Sequence, residues 1–334
     1  MSVSRAFLER CARDTGFRTS GIEKVVRLGA LAGEIGSHGL LGQALALKGG
    51  TALNLGFGAP LRLSVDLDFN FVGASEREEA LEQRPRIERS MADLARRLGY
   101  RVQSSADAFA GRKLFLNYDS VLGPVDRIEI DLNFLLRVPL SPIVRRELWQ
   151  PSGLDRPSVG CVGTDELVIG KVCAFLDRCA ARDVWDVANL ADEARAAFDD
   201  THFRSRFVAL AATLDHSPAK YGKERLAERL TQTAIDSQLI PMLAGAPSIR
   251  ADELLTNAWA RVAPLLELSE AERQFIEQLE SGSLRTELLF PDDSEEAARI
   301  ARHPALLWKA HHAGEMWRRS PRSPAPQGEP FDGP

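Results

Sequence analysis

The chain of 334 residues is predicted to be an α/β (α+β) protein. A small mixed β-sheet flanked by helices is expected over 1–163, a helical domain over 164–319, and a disordered tail over 320–334. Two observations carry this. Residues 63–72 alternate strictly, with Leu63, Val65, Leu67, Phe69 and Phe71 pointing one way and Ser64, Asp66, Asp68 and Asn70 the other, as in a half-buried strand. From Thr164 onward, apolar residues recur only at helical spacing.

The elements follow in order. Residues 5–40 read as helix, with Ile22, Val25, Val26, Leu28, Leu31 and Ile35 on one face and Gly36 and Gly39 ending it. A short apolar run at 44–47 halts at Lys48-Gly49-Gly50, a tight strand-to-helix turn into Thr51-Ala-Leu-Asn-Leu. After the 63–72 strand, the charged stretch 76–97 carries Ile87, Met91, Leu94 and Leu98 at helical spacing and reads as an amphipathic helix lying on a sheet. Further strands are expected at 100–104, 113–118 and 127–135. The last places Glu129, Asp131 and Asn133 together on one face. Thr164-Asp-Glu-Leu opens a helix with a capping residue and acids in its first turn. More helices are expected at 182–194, 200–214, 219–240, 251–280 and 294–317. The tail is rich in proline, with Pro at 321, 324, 326, 330 and 334.

Composition excludes several classes. Lys and Arg number 42 against 47 Asp and Glu, a formal net charge of -5, so generic adhesion to nucleic acid or anionic membrane is not the default. No stretch has the apolar length of a membrane helix, and the first sixteen residues lack the apolar core of a secretory signal. The four cysteines show neither Cys-x-x-Cys spacing nor a His partner and read as reduced thiols. The expected location is the cytoplasm.

The polar faces carry the chemistry. Asp66 and Asp68, at i and i+2 on a strand, share a side roughly 6–7 Å apart. They repel unless a positive charge lies between them, and magnesium takes one or two carboxylates together with phosphate oxygens. Asp131 brings a third carboxylate from a later strand. The Gly49-Gly50 turn offers backbone N–H groups to a phosphate. Neither a P-loop nor a dinucleotide fingerprint is present, which removes hydride transfer and motor ATPases. Together these features point to metal-dependent phosphoryl or nucleotidyl transfer.

Four motifs in sequence order resemble the AbiEii/AbiGii-type nucleotidyltransferase toxins of the DNA polymerase β-like nucleotidyltransferase superfamily. They are Lys48-Gly49-Gly50-Thr51-Ala-Leu, Arg62-Leu-Ser64-Val-Asp66-Leu-Asp68, Glu166-x-x-x-x-Lys171, and Arg182-Asp183-Val-Trp-Asp186. The resemblance covers roughly 20–195 and implies a nucleotidyltransferase core using an NTP and Mg²⁺. It implies that Asp66 and Asp68 hold the metal on the triphosphate, with Asp131 as the third carboxylate and Glu129 competing for that place. Gly49 and Gly50 would cradle phosphate, Lys171 would contact phosphate or base, and Asp183 would lie near the nucleotide. Lys48, Thr51, Arg62, Ser64 and Asp186 join the nucleotide site, Arg62 either gripping phosphate or balancing Asp66 and Asp68. Asp186 would support the site, for instance by holding Arg178 or Arg182.

The resemblance further implies a toxin with RNA, such as a tRNA 3′ end, as acceptor, and a cognate antitoxin as partner. Two other readings are a catalytically silent binding protein on the same fold and a transferase acting on a small molecule such as an aminoglycoside. An acidic acceptor pocket would favour the small molecule, a basic channel RNA.

Overall fold

The computed structural model describes residues 3–106 and 110–318. The 320–334 tail lies outside them. Helix α1 (Arg5–Thr15) and helix α2 (Thr19–Ser37) replace the single helix expected at 5–40. Gly16 ends α1 in the left-handed region (φ 75°), its N–H donating to Ala12 O, and that turn stops a continuous helix. A short α3 (Leu41–Ala44) leads into β1 (Leu45–Lys48), which covers the expected 44–47 run, and then α4 (Gly49–Leu55).

The strand expected at 63–72 is shorter. β2 spans Asp66–Phe71, because the residues before it leave the sheet. Arg62 forms an isolated bridge with Leu243, and Leu63 N–H donates to Met242 O at 2.8 Å. Helix α5 (Arg77–Arg97) follows, burying Ile87, Met91 and Leu94 as its spacing implied. Then come β3 (Arg101–Ser104), β4 (Gly111–Asp119) and β5 (Val125–Asn133), followed by two strands the sequence reading missed, β6 (Val144–Glu147) and β7 (Ser158–Cys161).

The seven strands run in the order β3-β4-β5-β2-β1-β7-β6. β2/β5 and β1/β7 are parallel and the other neighbours antiparallel, so the sheet is mixed as expected. Register turns the strand alternation into rows across the sheet. Leu67, Ile130 and Leu114 face one another in the core, and one residue on, Lys48, Asp68, Asp131 and Lys113 line up on the opposite face. A one-residue slip would exchange the two rows, and burial of the first fixes the second.

The helices after the sheet are α6 (Thr164–Arg178), α7 (Ala181–Ala188), α8 (Asp192–Arg195), α9 (Phe203–Ala211), α10 (Lys223–Ala227), α11 (Gln232–Ala234), α12 (Ala251–Val262), α13 (Glu270–Glu280), α14 (Ser294–Ala301) and α15 (Pro304–Arg318). The expected 251–280 helix breaks where Pro264 removes a backbone donor. It restarts at Ser269, which forms a capping box with Glu272. The expected 219–240 helix dissolves into short pieces that include a π-turn at Ile235–Leu239. One contiguous apolar core runs from Val3 to Ala310, joining the sheet to the later helices.

Candidate active site

Two glycines bring backbone against the polar row. Gly49, at φ 72°, lies so close to β2 that a Cβ there would stand 2.4 Å from Asp68 Oδ2. A Cβ on Gly50 would stand 2.8 Å from Ser64 Oγ and 3.1 Å from Arg62 Nη2, so Ser64 and Arg62 lie beside the turn. Thr51 is fully buried, and its hydroxyl donates to Asp66 O, tying the first turn of α4 to β2. Lys48 stands opposite Asp68, and Asp68 opposite Asp131.

Charge on this face is unevenly compensated. Burial raises the pKa of Asp66 and of Asp68. Asp68 pushes Asp66 further up, and Asp131 does the same to Asp68. Lys48 and Lys171 pull Asp68 down without prevailing over its burial, and two further cations border the face. Arg182 Nη1 is 4.0 Å from Asp66 Oδ2, and Lys113 Nζ is 3.7 Å from Asp131 Oδ2. Burial lowers Lys48, against the pull of Asp68, Asp131 and Glu166. Asp66 and Asp68 therefore form an under-neutralised carboxylate pair beside the partly exposed Gly49-Gly50 backbone, which fits a hydrated divalent cation carrying phosphate. Among the described residues no three His, Cys, Asp or Glu side chains form a metal-holding group. Asp131 lies one strand away, directly opposite Asp68. Glu129 lies opposite Asp66 and is held by Arg127 at 2.8 Å.

A second cluster hangs from α6 and α7. Lys171 Nζ donates to Asp183 Oδ1 (3.0 Å) and lies 2.9 Å from Asp186 Oδ2. Asp183 also accepts from Arg178 Nε at 2.6 Å. Its burial works to raise its pKa, yet Lys171 and Arg178 prevail and hold it low. Arg62 corrects the sequence reading: it neither balances Asp66 and Asp68 nor stands free for phosphate. Its guanidinium is 2% exposed and grips Asp186 bidentately, with Nε to Oδ1 at 2.6 Å. Asn54 Nδ2 adds a bond to Asp186 Oδ1 at 3.1 Å. Asp186 therefore holds Arg62 and Lys171 in place of the expected Arg178 or Arg182. Arg62 and Lys171 hold its carboxyl far below the usual range against its burial.

Glu166 and Asn70 escaped selection as site residues. Asn70 follows Asp68 on the same strand face, and its Nδ2 donates to Glu166 Oε1 at 3.4 Å, while Leu140 N–H donates to Oε2 at 2.7 Å. The available signal was Glu166 heading the Glu-x-x-x-x-Lys motif that ends at Lys171. Burial pushes the Glu166 carboxyl up to about 7. A raised carboxyl pKa means the fold favours the protonated form. That stabilisation is complete below the ordinary value and is lost as pH rises through about 7. Glu166→Gln is therefore expected to gain on the wild type by up to about 3 kcal/mol between pH 5 and pH 8. Urea unfolding at both pH values checks this, and parallel pH profiles would contradict it.

A mixed sheet that sets a carboxylate pair against a Lys-Gly-Gly turn, with a helix-borne Lys–Asp cluster beside it, suits nucleotidyl transfer. The model of the family described as "Nucleotidyl transferase AbiEii toxin, Type IV TA system" matches residues 31–272. The chain belongs to that family of nucleotidyltransferase toxins from type IV toxin–antitoxin systems. Its structure is similar to that of MenT4, a nucleotidyltransferase toxin from Mycobacterium tuberculosis H37Rv. The two share a TM-score of 0.59 at 18% identity, over 92% of this chain and 99% of that one, a likeness of fold. No curated protein matches the sequence. Among the described residues no helix is long and apolar enough to cross a membrane.

Proposed function

We propose that this nucleotidyltransferase is magnesium-dependent and moves a nucleoside monophosphate from an NTP to an RNA hydroxyl, with a tRNA 3′ end as acceptor. We place it in the cytoplasm, opposed by a cognate antitoxin. The observation that carries the chemistry is the row Lys48–Asp68–Asp131–Lys113 with Gly49 pressed against Asp68.

In this reading Asp66 and Asp68 would hold Mg²⁺, which would offset charge growing on the phosphate oxygens. The backbone of Gly49 and Gly50 takes phosphate oxygens. Lys171, oriented by Asp183 and Asp186, faces the nucleotide. Asp131, or Glu129 beside it, accepts the proton of the acceptor hydroxyl as its oxygen bonds to the α-phosphorus. The α–β bridging bond breaks and pyrophosphate leaves.

Support for a polyanionic acceptor comes from the rim. Arg178, Arg182, Lys113 and Arg127 are 64%, 40%, 52% and 56% exposed in their side chains, and each leans on a carboxylate of the site. RNA phosphates approaching the site would meet these exposed cations. The test incubates the protein with each α-labelled NTP, Mg²⁺ and total cellular RNA, then resolves the products on a gel. Label is expected in a tRNA-sized band and is expected to vanish with EDTA. Label only in small molecules would favour the aminoglycoside-type enzyme, and no label in any fraction would favour the silent binding protein.

A further inference from the structure

The family match ends at residue 272, yet a helix beyond it reaches back to the first turn of α6. Arg299 on α14 donates through Nη1 to Pro139 O at 2.7 Å and through Nη2 to Leu140 O. The same loop donates Leu140 N–H to Glu166 and Ser141 Oγ to Asp165 Oδ1. Arg206 on α9 bridges Asp165 Oδ2 (2.7 Å) and Glu296 Oε1 (2.8 Å), and Glu296 closes the circuit by accepting from Arg299 Nε at 2.9 Å. Gly163 makes room for the loop, since a Cβ there would stand 1.9 Å from Ser141 Oγ.

Asp165, Glu166, Arg206 and Glu296 are all buried. A buried ionic circuit is a poor source of stability, because well-packed apolar groups do as well or better. What this one does accomplish is placement. Glu166 meets Asn70 beside the carboxylate row, and its charge acts on Lys48. Five residues further along the same helix, about 7.5 Å at 1.5 Å per residue, α6 delivers Lys171 to Asp183 and Asp186. Arg299 also favours the ionised form of Glu166.

We propose that Arg299, with Glu296 and Arg206, is a positioning device for the nucleotide site. By gripping loop 139–141 it fixes Glu166 against Asn70 and Lys48 and sets where α6 holds Lys171. The inference rests on the reading of Lys48, Asp68 and Lys171 as the NTP site. It gives the region beyond the family match a part in nucleotide binding without contact to nucleotide.

The test uses the full chain and the magnesium complexes of the four ribonucleotides as probes, with binding measured by calorimetry and folding by circular dichroism at the same temperature. Arg299→Met and Ser141→Ala are each expected to weaken binding about 5-fold in fully folded protein. In a Glu166→Gln background Arg299→Met and Arg299→Lys are expected to cost less than about 2-fold, because their effect passes through Leu140 to Glu166, whereas Ser141→Ala acts on Asp165 and keeps its loss. Arg299→Lys is expected to restore part of the affinity. Should Arg299→Met fail to fold, Ser141→Ala and Arg299→Lys carry the comparison. Unchanged affinity in folded variants, or equal losses for the Arg299 variants in both backgrounds, would overturn the proposal. Asp68→Asn is the separate control: wild-type affinity in that variant, or no nucleotide binding by the wild type, would overturn the site reading and this inference with it.

Discussion

Asp68→Asn is expected to lower nucleotidyl transfer on the order of 10³-fold or more and to leave the protein at least as stable as the wild type. The two effects have one cause. Asp68 is half of a carboxylate pair whose pKa values are raised by burial and by like charge. At neutral pH the ionised form is therefore a burden on the folded state, complete once pH exceeds the raised value. Asn removes the charge at nearly constant volume and keeps contact with the Gly49 backbone. It also removes an oxygen that a metal-bound triphosphate needs. Activity and stability should move in opposite directions, the signature of a residue kept for chemistry. Labelled-nucleotide transfer and urea midpoints at pH 7.5 on the same preparations check this. A joint fall in both would mean that Asp68 is structural.

Asp186→Ala should do the reverse, its main effect a sharp loss of stability in protein that still folds. Asp186 is buried and receives Arg62, Lys171 and Asn54, while Arg62 is itself 2% exposed. Deleting the carboxylate strands two cations in a dry environment, at a cost of about 3–5 kcal/mol. Because its pKa is held below the ordinary value, its contribution is fully present above about pH 4 and is lost as pH falls further. The destabilisation measured by urea unfolding should accordingly be large at pH 7 and shrink toward pH 3. A loss below about 1 kcal/mol at pH 7 would show that Arg62 finds water or another partner.

The contrast between these two aspartates marks how far the sequence could be read. Asp66 and Asp68 announce themselves because a strand's alternation is local, and a face with two acids where mixed polar residues belong is visible within seven positions. The Lys48-Gly49-Gly50 turn is equally local. The pairing of Arg62 with Asp186 spans 124 residues. Nothing near either residue signals it, so the sequence leaves Arg62 between gripping phosphate and balancing Asp66 and Asp68. β6 and β7 were missed for a related reason. Val144-Arg-Arg-Glu147 and Ser158-Val-Gly-Cys161 carry no apolar run to mark them, and they are strands because β7 lies against β1 and β6 against β7. Glu166 looked like an N-terminal helix acid, an ordinary feature of any first turn. Only the fold shows it facing Asn70 instead of solvent. The helix breaks at Gly16 and Pro264 were legible residue by residue, but apolar spacing on either side outweighed them.

The most direct test of the carboxylate pair is Mn²⁺ binding followed by electron paramagnetic resonance, with a non-hydrolysable NTP analogue present. Mn²⁺ is expected to bind the wild type together with the analogue, and Asp66→Asn and Asp68→Asn are each expected to weaken that binding at least about tenfold in folded protein. Equal Mn²⁺–nucleotide binding by the wild type and both variants would contradict the account.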